Sequence, residues 1–334
     1  MTGLQVGGSL LFFFLVATGC CWLALRYARS KQLLDQPGER RSHQVATPRG
    51  GGAGVVAALL LALGLGAGLF AEWRLELLVF GLALLLVAGI GWWDDHRPLP
   101  ALQRLLVHML AAALLAALVW RDGGGLWWSL AAFALTAGLI NIWNFMDGIN
   151  GLAISQAALV AFLLGCWLPS PLSAAAWVTG LACLAFLPFN FPKARIFLGD
   201  VGSGALGLLM AGLVILVVRK AAPAQPLVVL WPMSVFLVDA GFTLLTRVCG
   251  GERWMQAHTE HLYQWYIKRG ASHTSVTACY AAITLAWGLL ALFAADEAPA
   301  LMALLSILLW LTAGLMWYWR RSSLISACTK EKNE

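Results

Sequence analysis

The chain has 334 residues, of which 60% are hydrophobic and only 11% carry an acidic or basic side chain. Soluble domains average about a quarter charged residues, so this composition excludes an ordinary soluble protein and indicates an integral membrane protein. The net charge of +6 is accounted for by membrane topology and contact with anionic lipid headgroups, so we expect membrane lipids and no nucleic acid as partners.

Blocks free of Asp, Glu, Lys and Arg, except for Asp239, recur along the sequence. A helix needs about 20 apolar residues to cross a bilayer. The blocks are 4–25, 50–71, 77–93, 105–120, 123–146, 148–192, 201–218, 221–246, 270–295 and 298–319. Block 148–192 is too long for one helix and is divided at Pro169 and Pro171. We predict an all-α polytopic membrane protein of about eleven transmembrane helices, as one domain over 1–334 with a short cytoplasmic tail at 320–334.

The distribution of basic residues predicts the orientation. With the N-terminus outside, cytoplasmic segments hold 18 of the 22 Lys and Arg residues and outer loops hold four. Lys and Arg are retained on the cytoplasmic side of membranes. The C-terminus is therefore predicted to be cytoplasmic, and the segments rich in Asp and His fall on the cytoplasmic face. We expect the active site there.

Asp94 and Asp95 end the uncharged block 77–93. An Asp at bilayer depth is disfavoured by roughly 2.5–3.5 kcal/mol on insertion scales. Acids this close to an apolar span are usually functional and lie at the water boundary. The pair is therefore the first candidate for catalysis.

A second polar segment, 141–153, contains Asn144, Asp147 and Asn150 beside two glycines. Asn, Asp and Gly suit a tight turn, which would be a purely structural explanation. The number of polar side chains exceeds what a turn requires, and polar groups near membrane depth are rarely without a role. We favour a functional site.

A third segment, 189–203, contains Asn190, Phe197 and Asp200. Asp200 stands just before a predicted helix, whose N-terminus favours phosphate, and a carboxylate there can hold the Mg²⁺ that accompanies phosphate. An ordinary Asp N-cap is the alternative. Lys193 and Arg195 add anion-binding charge and favour the phosphate site.

The topology draws Asp94, Asp95, Asp147 and Asp200 to one face. Four acids without a cation would repel each other. Mg²⁺ prefers oxygen ligands and is commonly shared between one or two carboxylates, water and substrate phosphates. We therefore predict Mg²⁺ as the cofactor, with Mn²⁺ as the alternative ion.

Five segments together resemble the signature loops of one family. They are Thr47-Pro-Arg-Gly-Gly-Gly52, Gly91-Trp-Trp-Asp-Asp95, the run from Asn144 to Ala153, Phe197-Leu-Gly-Asp-Val-Gly-Ser203, and the histidine segment from Gly250 to Gln264. The sequence resembles the polyprenyl-phosphate N-acetylhexosamine-1-phosphate transferases of the MraY/WecA type, glycosyltransferase family 4. This resemblance implies transfer of a sugar 1-phosphate from a UDP-N-acetylhexosamine to undecaprenyl phosphate, with release of UMP, at the bacterial inner (cytoplasmic) membrane.

The resemblance also implies roles for individual residues. Asp200 would bind Mg²⁺, and Asp94 would lie nearest the attacking lipid phosphate, supported by Asp95. Asp147 would complete the catalytic acids. Substrate contacts would come from Asn144, Asn150, Asn190, Phe197, Arg253, His258 and His261. Among these, Phe197 would stack on uracil, and Arg253 and the two histidines would contact the diphosphate or the sugar.

Two departures from the family pattern concern recognition. Asn150 stands where many members have Asp, and Glu260 occupies the third place of a run that is often His-x-His-His. An amide still hydrogen-bonds a nucleobase, so we expect altered recognition rather than lost activity. The histidine segment is most similar to the branch that initiates O-antigen synthesis. The hexosamine and the oligomeric state stay open, with a homodimer among the options.

The chemistry of the acceptor narrows the mechanism. A phosphate monoester has a second pKa of about 6, so polyprenyl phosphate is largely dianionic at neutral pH. An ordinary Asp, with a pKa of about 3.9, is a weak base. We expect charge neutralisation and alignment to dominate, with Asp94 chiefly a positioning group.

Several residues allow two interpretations. His43, Arg49 and Arg104 either guide the lipid phosphate or anchor helix ends to headgroups. Asp239 either supports the site or is a buried acid satisfied by its neighbours. His96 follows Asp94 and Asp95 in the sequence and either contributes to the same site or lies outside it.

Two rival functions are weaker. An ion-coupled transporter would place its ionisable groups at the bilayer midplane, whereas most acids here lie at one edge, with Asp239 as the partial exception. A CDP-alcohol phosphotransferase has an Arg and further acids after its Asp-Gly pair. After Asp147 and Gly148 this chain has no Arg before Arg195 and no acid before Asp200.

Overall fold

The structure is a computed structural model that describes residues 3–38, 45–221, 226–252, 258–294 and 297–333. Most of these residues are helical. The helices are α1 (Gly3–Ser30), α2 (Gly52–Leu69), α3 (Arg74–His96), α4 (Ala101–Arg121), α5 (Gly125–Met146), α6 (Leu152–Gly165), α7 (Ser173–Asn190), α8 (Asp200–Lys220), α9 (Ser234–Cys249), α10 (Leu262–Lys268), α11 (His273–Ala294) and α12 (Pro299–Asn333). Strands β1 (Leu34–Asp35) and β2 (Thr47–Pro48) pair antiparallel, with Leu34 opposite Pro48.

The predicted all-α polytopic membrane fold is confirmed. Among the described residues, ten helical stretches are long and apolar enough to cross a membrane, and α6 is a shorter apolar helix. Together they match the predicted number of about eleven. The additional helix α10 has only seven residues. The orientation of the termini and the assignment of 1–334 to a single domain stay predictions. Helix α12 continues through most of the segment 320–334 that was expected to be a tail.

One predicted helix has a different local structure. Block 221–246 was expected to form a single α-helix, but its first part is a 3-10 helix at Pro226–Met233, followed by α9. Pro232 has no amide hydrogen, and its ring would clash with the preceding turn of an α-helix. The α-helical part of this span therefore begins only at Ser234.

Helix α8 lies at the centre of the bundle, packed against α2, α3, α5 and α6. Small residues permit this packing. A Cβ atom on Gly52 would overlap Gly202, and a Cβ atom on Gly91 would overlap the carbonyl of Asp200. Close backbone approach through glycine is the common way for membrane helices to associate. These contacts bring the ends of α2 and α3 against the first turn of α8.

Candidate active site

The turn at 47–52 is joined by backbone hydrogen bonds to the segment that enters α8. The amide of Phe197 donates to the carbonyl of Pro48 at 2.8 Å, and the amide of Gly51 donates to Phe197 at 2.9 Å. The amide of Gly52 donates to Leu198 at 2.8 Å. These bonds unite the first and fourth family segments and hold Arg49, which lies in the turn, beside the N-terminus of α8.

Asp95 binds the N-terminus of α8 directly. Its Oδ1 accepts hydrogen bonds from the amide of Asp200 at 3.0 Å and from Nε of Arg49 at 2.9 Å, and its Oδ2 accepts from the amide of Val201 at 3.1 Å. The side chain of Asp95 has no exposed surface. A carboxylate is favoured at a helix N-terminus because the first amides have no partner within the helix. Asp95 therefore caps α8 and supports the site from inside the protein.

Asp94 and Asp200 share one arginine. Nη1 of Arg104 donates to Oδ2 of Asp94 and to Oδ2 of Asp200, each at 3.0 Å. Asp94 also accepts a hydrogen bond from the amide of Leu99 at 2.6 Å. The side chain of Asp200 is 24% exposed, more than that of Asp94 at 10%. Asp200 is thus the more accessible of the two carboxylates.

The last turn of α5 adds an amide and a third acid. Nδ2 of Asn144 donates to Oδ1 of Asp200 at 2.7 Å and to Oγ of Ser203 at 2.9 Å. Asp147 follows at the C-terminus of α5, and its carboxylate has no hydrogen-bond or ion-pair partner within the described part of the chain. Burial, together with Asp200 and Asp95, raises the pKa of Asp147 well above its usual value, while Arg49 opposes this shift. An additional cation beside Asp147 would therefore stabilise its charged form.

The acid cluster, defined as Asp94, Asp95, Asp147 and Asp200, contains more acidic side chains than it has arginines to pair with them. Arg49 and Arg104 supply two positive charges against four carboxylates. No group of three or more His, Cys, Asp or Glu side chains in the described ranges is arranged to hold a metal alone. Mg²⁺ needs only one or two carboxylates when phosphate and water supply the other ligands. The donor set therefore fits Mg²⁺ bound together with a phosphate.

The two remaining asparagines connect loops. Asn190 is buried, and its side chain accepts from the amide of Gly151 at 2.7 Å and donates to the carbonyl of Ile196 at 3.0 Å. Asn150 donates from Nδ2 to the carbonyl of Pro192 at 3.1 Å. Both side chains join the α5–α6 turn to the α7–α8 loop, so any effect of Asn190 on a ligand would act through this loop.

The histidine segment reaches the same end of the bundle. The rings of His258 and His261 lie 4.9 Å apart, and His261 stacks on Phe145 at 6.0 Å. Phe145 is the neighbour of Asn144 in α5, so the histidines lie beside the acid cluster. Burial lowers the pKa of both histidines, that of His258 to about 4, and both are neutral at pH 7. Arg253 and His43 lie outside the described residues.

The sequence leaves the roles of Arg49, Arg104 and His96 open. In the structure Arg49 and Arg104 contact the acid cluster. Their position at helix ends in the sequence did not distinguish this role from anchoring to lipid headgroups. His96 points elsewhere: its Nδ1 lies 2.8 Å from the carbonyl of Trp92 and its Nε2 lies 3.2 Å from the hydroxyl of Tyr27. His96 therefore belongs to the α1–α3 contact.

The fold and the site define a polytopic membrane protein with an acid- and arginine-rich polar site at one end of its helical bundle. The sequence pattern of glycosyl transferase family 4 matches residues 77–218, from α3 to the last part of α8. The chain belongs to this family.

Curated relatives extend the similarity beyond that region. The chain is 32% identical over 239 residues to a phospho-N-acetylmuramoyl-pentapeptide-transferase of Synechococcus sp. (strain JA-3-3Ab), covering 64% of this chain and 67% of the relative. It is 29% identical over 301 residues to a decaprenyl-phosphate N-acetylglucosaminephosphotransferase of Mycobacterium leprae, covering 75% and 73%. It is 27% identical over 262 residues to a probable undecaprenyl-phosphate N-acetylglucosaminyl 1-phosphate transferase of Bacillus subtilis, covering 72% and 71%.

Proposed function

We propose that this protein is a Mg²⁺-dependent transferase that moves N-acetylhexosamine 1-phosphate from a UDP-sugar to undecaprenyl phosphate. The products would be an undecaprenyl-diphosphate sugar and UMP, and the reaction would initiate O-antigen or a related cell-surface glycan at the bacterial inner membrane. The observation that carries the proposal is the acid cluster with its two arginines at the end of α8, in a family whose relatives are named for phosphotransfer to polyprenyl phosphates.

The proposed reaction exchanges one phosphoanhydride for another. An oxygen of the lipid phosphate attacks the phosphorus that bears the sugar, and the bond from that phosphorus to the oxygen of UMP breaks. The acceptor is largely dianionic at neutral pH, so little deprotonation is required. The protein must mainly align two phosphates in line and reduce their repulsion.

The roles of the site residues follow from their charges and contacts. Asp200 and Asp147 would hold Mg²⁺, which when bound supplies Lewis-acid stabilisation of phosphate oxygens. Arg104, which contacts both Asp94 and Asp200, would pair with the phosphates through its planar guanidinium. Asp94 would orient this arginine and the attacking phosphate. Asp95 would hold α8 in register through its two amide contacts.

The donor would occupy the side of the site formed by α5, the α7–α8 loop and the histidine segment. Phe197 is half-buried at the entry to α8 and would offer its ring to uracil. His258 and His261 are neutral, so they would recognise the diphosphate or sugar by hydrogen bonds rather than by charge.

The decisive experiment is an exchange assay with the purified protein in nanodiscs. Mg²⁺, undecaprenyl phosphate and a panel of UDP-N-acetylhexosamines are supplied, and incorporation of labelled UMP into the donor is measured. We expect exchange with at least one donor, and none without undecaprenyl phosphate or after chelation of the metal. Absence of exchange with every donor, in protein shown to be folded, would refute the proposal.

A further inference from the structure

Asp239 is a buried acid in α9 that lies outside the acid cluster. Only 1% of its surface is exposed. Four donors converge on its carboxylate: the amides of Leu262 at 2.6 Å and Tyr263 at 3.2 Å, the hydroxyl of Tyr280 at 2.8 Å, and Nε1 of Trp317 at 3.2 Å. Such a group is costly to bury unless it is fully hydrogen-bonded, and here both oxygens are.

Two of these donors are the first two amides of α10, directly after His261. The contact repeats the arrangement of Asp95, which accepts from the first two amides of α8. In each case an acid from one membrane helix fixes the beginning of another helix at the end of the bundle where the site lies. Asp239 differs because the helix that it fixes directly follows His258 and His261 in the chain.

The position of α10 determines the position of the histidines. Tyr263 donates from its hydroxyl to the carbonyl of Phe145 at 3.0 Å, and its ring stacks on His261 at 5.9 Å. The amide of His261 donates to Oε1 of Gln264 at 3.1 Å within the same turn. A shift of α10 away from Asp239 would therefore move His261 relative to Phe145 and the adjoining acid cluster.

The other side of the histidine segment is held by ionic contacts. Glu260 pairs with Arg247 of α9 at 2.5 Å and with Arg321 of α12 at 3.1 Å. On the His261 side, the bonds from Asp239 to the amides of Leu262 and Tyr263 act together with the contact between Tyr263 and Phe145. Glu260 is the residue that departs from the family pattern, and its two arginines account for an acid at this position.

The geometry points to Asp239 as a positioning residue for the transfer reaction, acting through α10 to hold His258 and His261 against the donor side of the site. This inference rests on the proposed function for its catalytic consequence, but the structural tie can be tested without substrate. None of the four hydrogen-bond donors to Asp239 belongs to the acid cluster.

The test uses Asp239→Asn, with Tyr280→Phe as the matched control. The amide of Asn keeps one acceptor and replaces the other with a donor that faces an N–H group. Hydrogen–deuterium exchange of the 262–268 amides, measured in nanodiscs without substrate, should become at least about ten-fold faster, as expected for losing a charge-assisted hydrogen bond. Tyr280→Phe keeps both amide contacts and should leave this exchange within about two-fold of wild type.

A second variant covers the case in which Asp239→Asn fails to fold. Leu262→Pro removes one amide donor and leaves Asp239 unchanged. Proline is tolerated at the first position of a helix, and His261 before it has the extended backbone (φ −63°, ψ 149°) that proline requires. We expect faster exchange at 263–268. Wild-type exchange in a folded Asp239→Asn, or in Leu262→Pro if the former does not fold, overturns the tie.

The catalytic consequence is tested by kinetics. Asp239→Asn should lower kcat/KM for the UDP-sugar by at least about ten-fold, while KM for undecaprenyl phosphate stays within about two-fold of wild type. Because Asp239 acts through the histidines, Asp239→Asn combined with His258→Ala should be little worse than His258→Ala alone. Fully additive losses, or an equal change in both KM values, would overturn the positioning role. If wild type lacks activity, the proposed function fails and the exchange data alone decide the tie.

Discussion

Replacing Asp95 by Asn separates support of α8 from direct catalysis. The buried carboxylate accepts from two amides of α8 and from the side chain of Arg49. Asn keeps the shape of the side chain but loses the charge, and its amide nitrogen must face either an N–H group or the guanidinium. Hydrogen bonds to charged groups contribute about 1.5–3 kcal/mol each, and breaking a buried ion pair costs about 3–5 kcal/mol. We therefore expect the free energy of unfolding to fall by about 3–5 kcal/mol.

The assay is a denaturant titration of the protein in mixed micelles, read by circular dichroism and repeated with Asp94→Asn as the control. Asp94 contacts Arg104, whose side chain is 29% exposed. Asp94→Asn should therefore lower the free energy of unfolding by only about 1–2 kcal/mol, less than Asp95→Asn, but should reduce the activity per folded molecule more. Wild-type stability in Asp95→Asn together with complete loss of turnover would refute the capping role and make Asp95 a catalytic group.

Three further predictions concern helix packing, metal dependence and pH. Gly91→Ala should destabilise the protein by about 1–3 kcal/mol in the same titration because its Cβ would overlap the carbonyl of Asp200. The control Gly89→Ala, with nothing within 4 Å of its Cβ, should be neutral or stabilising. Equal effects of the two substitutions would contradict the close packing of α3 against α8. Asp200→Asn should abolish Mg²⁺-dependent UMP exchange while the protein still folds, and near-normal activity would remove Asp200 from the metal. His258 has a pKa of about 4 in the folded protein and 6.5 in the unfolded chain, so its contribution to stability is present above pH 6.5 and is lost as the pH falls toward 4. His258→Gln should therefore reduce the fall in the free energy of unfolding over this pH range. An unchanged slope would show that His258 titrates normally.

The helical fold was predictable because each span appears in the sequence as a long apolar run, which only Asp239 interrupts with a charge. The same pattern could not show that Pro226–Met233 is a 3-10 helix, since hydropathy does not distinguish the two helix types and the effect of Pro232 depends on its neighbours. The orientation of the bundle depends on the surrounding membrane, so it stays a prediction.

The chemistry of the site was partly predictable from residue type and position. Acids at the ends of α3, α5 and α8 had to meet once those ends shared one face. The division of roles was not predictable: Asp94 and Asp95 are adjacent in sequence, yet one contacts Arg104 and the other caps a helix 105 residues away. That difference arises from the direction of each side chain on α3 and from the glycine contact with α8. Arg104 and Asp239 remained ambiguous for the same reason.

The cap that Asp95 places on α8 also bears on the order in which the helices can assemble during synthesis. Asp95 is synthesised long before the amides of Asp200 and Val201 that satisfy it. A chain whose synthesis stops before α8 carries an acid at the end of α3 without these donors, and such a group favours the water boundary over the protein interior. We therefore expect helix α3 to reach its final position only after α8 has been synthesised, because Arg49 alone cannot replace the two amides of α8.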